Sequence, residues 1–215
     1  MKTLMLGLFL SPLVVQSSYA QQSPPQPPSE SITTAANPTP EQQELINLSN
    51  RKWDWMADKN DAALREHLVK LLSEGHAHAT FEQAVKGLPV ELRGKVPKCA
   101  EHSPWQLLEH LRLAQWDILD FSRNPKYQAL KWPDDYWPKE KSPADEKAWD
   151  KSVRAFKKDL KEMCALVSDE KTDLFAEIPH GDGQTILREA LLTADHNAYH
   201  LGQLVLVRRL LGAWK

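Results

Sequence analysis

Two imidazoles four residues apart, His196 and His200, stand in the run "ILREALLTADHNAYHLGQLVLVRRLLGAW", which is otherwise mostly leucine, valine and alanine. At about 100° per residue the pair shares one side of a helix with Leu192, Thr193, Leu204, Val207 and Leu211. Burying imidazoles on such a face costs on the order of 1–3 kcal/mol for each polar group left without a partner. A third histidine, His110, stands at the edge of the apolar face Leu107, Leu111, Ala114, Ile118 and Phe121 in "LLEHLRLAQWDILDF". Side-by-side packing of these two helices could bring the three rings together. Two histidines from one helix and one from a neighbour suit a divalent metal ion that keeps positions open for water or substrate. A hydrogen-bonded polar cluster without metal fits the same spacing, and the residues alone leave both readings open.

The segments that must position these side chains all read as helices. Thr39 and Pro40 make a helix start for "EQQELINLSNRKWDWMADK", an extra N-terminal helix over 39–60. A second helix, in "NDAALREHLVKLLSEGHAHATFEQAVKGLP", carries the stripe Leu64, Leu68, Leu71, Leu72, Gly75 and Ala79 and ends at Gly87 and Pro89. Ser103, Pro104 and Gln106 form a capping box ahead of the His110 helix. Ser142, Pro143 and Asp145 repeat that pattern before the stripe Trp149, Val153, Phe156, Leu160 and Met163/Cys164. The last helix runs from about Thr185 to Leu211. With no strand alternation and no internal repeat, the expected fold is all-α: a four-helix bundle over 61–215, plus the N-terminal helix. Its connections, of roughly fifteen to twenty residues against the usual two to eight, leave room for crossovers and for loops that wall a site.

Other features bound the setting. "MKTLMLGLFLSPLVVQSSYA", residues 1–20, has the basic start, apolar stretch and small residues of a cleavable signal, which predicts a secreted or periplasmic protein. After cleavage no stable membrane insertion is expected. The Pro- and Gln-rich residues 21–38 read as a disordered linker. A net charge of −2 speaks against a nucleic-acid or anionic-membrane partner. Cys99 and Cys164, the only cysteines, allow one disulfide and make no metal spacing.

"HSPWQLLEHLRLAQWDIL" together with "LREALLTADHNAYHLGQLVLVRRLLG" resembles the DinB-like (YfiT-like) superfamily over about residues 61–215. In that family one His comes from the second bundle helix and an H-x-x-x-H pair from the fourth. The resemblance implies His110, His196 and His200 as ligands of a divalent metal such as zinc, nickel or iron. It also implies crossover wiring and, in many relatives, a dimer. Characterised relatives include metal-dependent transferases and isomerases that use small thiols. "EQQELINLSNRKWDWMADKNDAAL" is weakly similar to the opening helix of SnoaL-like domains, but the sheet that should follow is missing.

Ligand histidines need partners for their second ring nitrogen, and Asp117, Glu189 and Gln203 fall near enough to the His faces to be candidates. His76 and His78, two apart, point away from each other on a helix and cannot share an ion. Glu82 lies on the first stripe, where it either enters the cavity or forms a buried ion pair or hydrogen bond. His67, His102 and His180 have no role in this scheme. Trp132, Tyr136 and Trp137 in "KWPDDYWP" read as a hydrophobic plug or a lid over a pocket. The expected activity is hydrolysis or thiol S-transfer on a small-molecule substrate; the alternative is a non-catalytic bundle that binds metal or a partner.

Overall fold

The structure, a computed structural model, describes residues 38–75 and 77–214, apart from the side chains of residues 53–58. The signal segment, residues 21–37 of the expected linker, and His76 lie outside the described residues. The described residues divide into two units, one ending at Ser49 and the other beginning at Asn50. The described residues are helical, with one isolated bridge between Glu177 and Thr185.

Helix α1 spans Pro40–Ser73. Thr39 starts it as the sequence suggests, its hydroxyl accepting from the Gln42 amide while Gln42 Oε1 accepts from the Thr39 amide. Where the sequence suggests two helices meeting near residue 60, there is one. Asn60 and Asp61 do not break it, and Asp61 instead pairs with Arg65 one turn on. The expected continuation to Gly87 is also corrected. Gly75 takes φ +57 and ends the run, and a capping box at Thr80 and Gln83 restarts the chain as the short helix α2, Phe81–Val85. Leu68 and Leu72 are buried, whereas Leu71 is 53% exposed and falls off the stripe.

Helix α3, Pro104–Arg123, has the expected box: Ser103 accepts from the Gln106 amide, and Gln106 returns the bond. Helix α4, Glu146–Ser168, begins later than its Ser-Pro signal, because Asp145 is the cap and accepts from the Ala148 amide. Ser142 packs against Gly94, leaving no room for a Cβ there. Helix α5, Ile186–Leu210, starts on the Thr185 cap.

Side-chain pairs fix the wiring. From α3 to α4, Glu109 meets Ser152, Gln115 meets Phe156 and Arg123 meets Glu162, so the numbers rise together and the helices run parallel. From α3 to α5, His110 meets His200 whereas Phe121 meets His180 just before α5, so these run antiparallel. Residues 124–145 therefore cross the bundle to return α4 in the direction of α3. Arg65 closes the fourth side: it donates to the carbonyls of Val167, Asp169 and Thr172, placing a cation at the C-terminus of α4.

Two apolar clusters fill the interior. One joins Leu107, Leu108, Leu111, Phe156, Leu201 and Leu204; the other joins Leu68, Leu119, Met163, Val167, Ile186 and Ala190. The three histidines lie in the α3–α5 seam. Cys99 and Cys164 are both free thiols.

Candidate metal centre

The rings of His110, His196 and His200 meet in the seam between α3 and α5. His110 Nε2 is 3.1 Å from His200 Nε2 and 3.1 Å from His196 Nε2. All three ligand atoms lie within 4.8 Å of one another. The antiparallel pairing of α3 and α5 produces this: His196 and His200 are one turn apart on α5, and His110 faces both across the seam.

The surrounding hydrogen bonds decide which nitrogens carry protons. His110 Nδ1 is 3.0 Å from the Tyr136 carbonyl, which can only accept, so Nδ1 holds the hydrogen and Nε2 presents a bare lone pair. His200 Nδ1 is 2.7 Å from Gln203 Oε1, with the same consequence. The 3.1 Å contact between these two Nε2 atoms therefore sets lone pair against lone pair. His196 can relieve only part of this, and among the described residues its own buried Nδ1 has no hydrogen-bond partner. Protonation is a poor remedy. Burial first, then the neighbouring imidazoles, lower the pKa of His110 to about 4 and that of His196 to about 3, and burial lowers that of His200. Ligands at right angles around an ion, each at roughly 2.1 Å, stand about 3.0 Å apart. The donor set thus fits a small divalent cation.

Of the residues expected to hold the ligand rings, Gln203 touches one directly, through His200. Asp117 acts at one remove. It accepts from the Tyr136 hydroxyl at 2.6 Å and the Tyr127 hydroxyl at 2.9 Å, and so fixes the loop whose Tyr136 carbonyl holds His110. Burial and the Asp117 carboxylate push the Tyr127 phenol up to about 12, keeping it a donor. Glu189 is elsewhere in its bonding: it pairs with Arg188 at 2.6 Å, and no hydrogen bond among the described residues joins it to a histidine.

The crossover loop covers the centre. The Trp137 ring stacks on His110 with centroids 3.8 Å apart, while Trp132 is 67% exposed at the surface. His102, which sequence reasoning left aside, also stacks on Trp137, at 3.9 Å. Its position just before the Ser103 cap was the available signal. Gln115 and Asn197 were also missed: Asn197 donates to Gln115, which donates to the Phe156 carbonyl, a buried relay beside His196. Gln115 was legible as a polar residue on an apolar face. Glu82 does not enter the cavity; it is exposed and pairs with Lys157. His78 is exposed and bonds the Ala79 carbonyl, and His180 meets the Phe121 carbonyl. Tyr199 is 64% exposed, its ring edge-on to His200.

A family model described as the DinB superfamily matches residues 75–204, more than half of the 215-residue chain. The chain belongs to the DinB superfamily. The matched span of this DinB protein contains all three histidines and the crossover loop. No curated protein and no solved structure matches it. Among the described residues no helix is long and apolar enough to cross a membrane.

Proposed function

We propose that this DinB protein is an exported, metal-dependent enzyme in which His110, His196 and His200 hold one divalent ion, zinc, nickel or iron, and act on a small molecule by hydrolysis or thiol S-transfer. The observation that carries the reading is the meeting of two bare Nε2 lone pairs at 3.1 Å, which a cation reconciles and a hydrogen bond does not. Export rests on the signal-like residues 1–20. A divalent ion on three neutral imidazoles supplies Lewis acidity, lowering the pKa of a water or thiol that joins it.

The chain's own groups prepare that chemistry. The Tyr136 carbonyl and Gln203 Oε1 hold His110 and His200 in the tautomer that points Nε2 inward. Asp117 anchors Tyr136, and with it the loop carrying Trp137. The Trp137 ring excludes water from one face of His110. Among the described residues no carboxylate joins the cluster, so three neutral imidazoles would hold the ion with its charge uncompensated.

A second reading has its own support. His110 is 1% and His200 8% exposed, as in a closed site that binds metal without turnover. Cobalt substitution separates the two. An open site gives a visible absorption that shifts when a small thiol such as 2-mercaptoethanol is added. A spectrum indifferent to thiol, azide and pH would rule out the enzymatic reading.

A further inference from the structure

Beside the centre runs a groove of about 310 Å³. Leu107, one turn before His110 on α3, forms one wall, and Leu206, Val207 and Leu210 of α5 form the other. Leu206 is 55% and Leu210 50% exposed, so this wall is an exposed apolar surface. His102 and Gln203 complete the lining, and both belong to the surroundings of the histidine cluster. Gln203 holds His200 Nδ1, and His102 stacks on Trp137, which itself stacks on His110.

We propose that this groove receives the non-reacting, apolar part of an uncharged or cationic substrate whose polar head is directed toward the three histidines. The proposal rests on the metal-dependent reading above and names the substrate class for it. Three features support it. The volume falls in the range of small-molecule sites, roughly 300–1,000 Å³. The lining is mainly aliphatic, its one formal charge is Glu101, and no lysine or arginine takes part, so an anionic tail finds no counter-charge. Finally, Gln203, which orients the His200 ring, is part of the lining, so binding energy from a remote tail can be used at the reacting end. The larger cavity of about 710 Å³ beside Asp61, Arg65, Glu66 and Lys70 lacks this link: it is lined by charges and includes no residue that touches the cluster.

A homologous series reads the groove directly. Straight-chain hydroxamates, from acetohydroxamate to octanohydroxamate, are titrated calorimetrically into the zinc-loaded full-length protein. Affinity should rise by about fourfold per methylene until the groove is filled. Leu206→Asp, at an exposed position, should abolish that gain while leaving metal content and acetohydroxamate affinity unchanged. Affinity independent of chain length, or an undiminished gain in L206D, would overturn the proposal.

A second arm needs no metal. Cys99 is an exposed thiol on the groove wall, whereas Cys164 is half-buried elsewhere. In chelator-treated protein, 1-hexanol or hexylamine should slow alkylation of Cys99 by N-ethylmaleimide, followed by peptide mapping, and hexanoate should not. Hydroxamates that fail at every length while this protection persists would sink the metal reading and leave the groove as an apolar ligand site. Absence of protection by hexanol would overturn the groove itself.

Discussion

Acid should destabilise the metal-free protein through its buried imidazoles, and the size of the effect follows from their environment. His110 is held at about 4 in the folded chain against 6.5 when solvated, chiefly by burial. At about 1.4 kcal/mol per pH unit, the difference amounts to about 3 kcal/mol of folding free energy. The sign is fixed by proton uptake. As pH falls below 6.5 the unfolded chain binds a proton at this residue, and the folded chain does not until about 4, so stability is lost across that window and is flat above about 7. His196, lowered to about 3, acts in the same direction, but the two rings interact and their effects do not add. The control is His110→Asn, whose amide can still donate to the Tyr136 carbonyl but does not titrate. Urea unfolding of both chelator-treated proteins, followed by circular dichroism at several pH values between 8 and 4.5, isolates the residue. Wild type should lose about 2–3 kcal/mol more than the variant between pH 7 and 4.5. Parallel pH profiles, or a wild type more stable at pH 5 than at pH 7, would show that burial of the His110 ring does not set the acid sensitivity.

Three further perturbations bear on separate links of the argument. Gln203→Leu removes the acceptor that fixes the His200 tautomer and should weaken metal binding by about 10–100-fold in a chelator competition, while the stranded Nδ1–H should cost about 1–3 kcal/mol in urea unfolding. Arg65→Met leaves the Val167, Asp169 and Thr172 carbonyls without their donor and should cost about 2–4 kcal/mol in urea unfolding, without altering metal affinity. Phe156→Ala empties a site that is 1% exposed and should cost about 3–5 kcal/mol by the same measurement.

How far the sequence reaches is clearest at the helix ends. Ser103-Pro104-x-Gln106 is a complete local signal, because the box satisfies its own amides, and it is observed as read. Ser142-Pro143 has the same letters and caps nothing: Ser142 is held against Gly94, and Asp145 does the capping. That choice depends on a loop distant in sequence. The break at Gly75 was hidden for the reverse reason, since Leu68, Leu72 and Ala79 preserve helical spacing across it. The three histidines were legible because apolar neighbours fix the faces of α3 and α5. Gln203 was legible by its place one turn after His200. In residues 124–145 the aromatics were readable as a plug or lid, but not which ring or carbonyl would meet which histidine. That the Tyr136 carbonyl would hold His110, or that Trp137 would stack on both His110 and His102, depends on the path of a crossover loop with no periodicity to follow. The Asp117 carboxylate, read as a partner for a histidine, turns out to bond two phenols of that loop.

The central claim is that three imidazoles from α3 and α5 form one cation site. Its most direct test is metal content after dialysis against limiting zinc, nickel and ferrous iron, measured by elemental analysis on untagged protein alongside H110A, H196A and H200A. The wild type should hold close to one ion per chain and each variant should lose most of it, with the helical circular dichroism spectrum preserved. A wild type that retains no ion under any of these conditions, or variants that retain as much as the wild type, would contradict it.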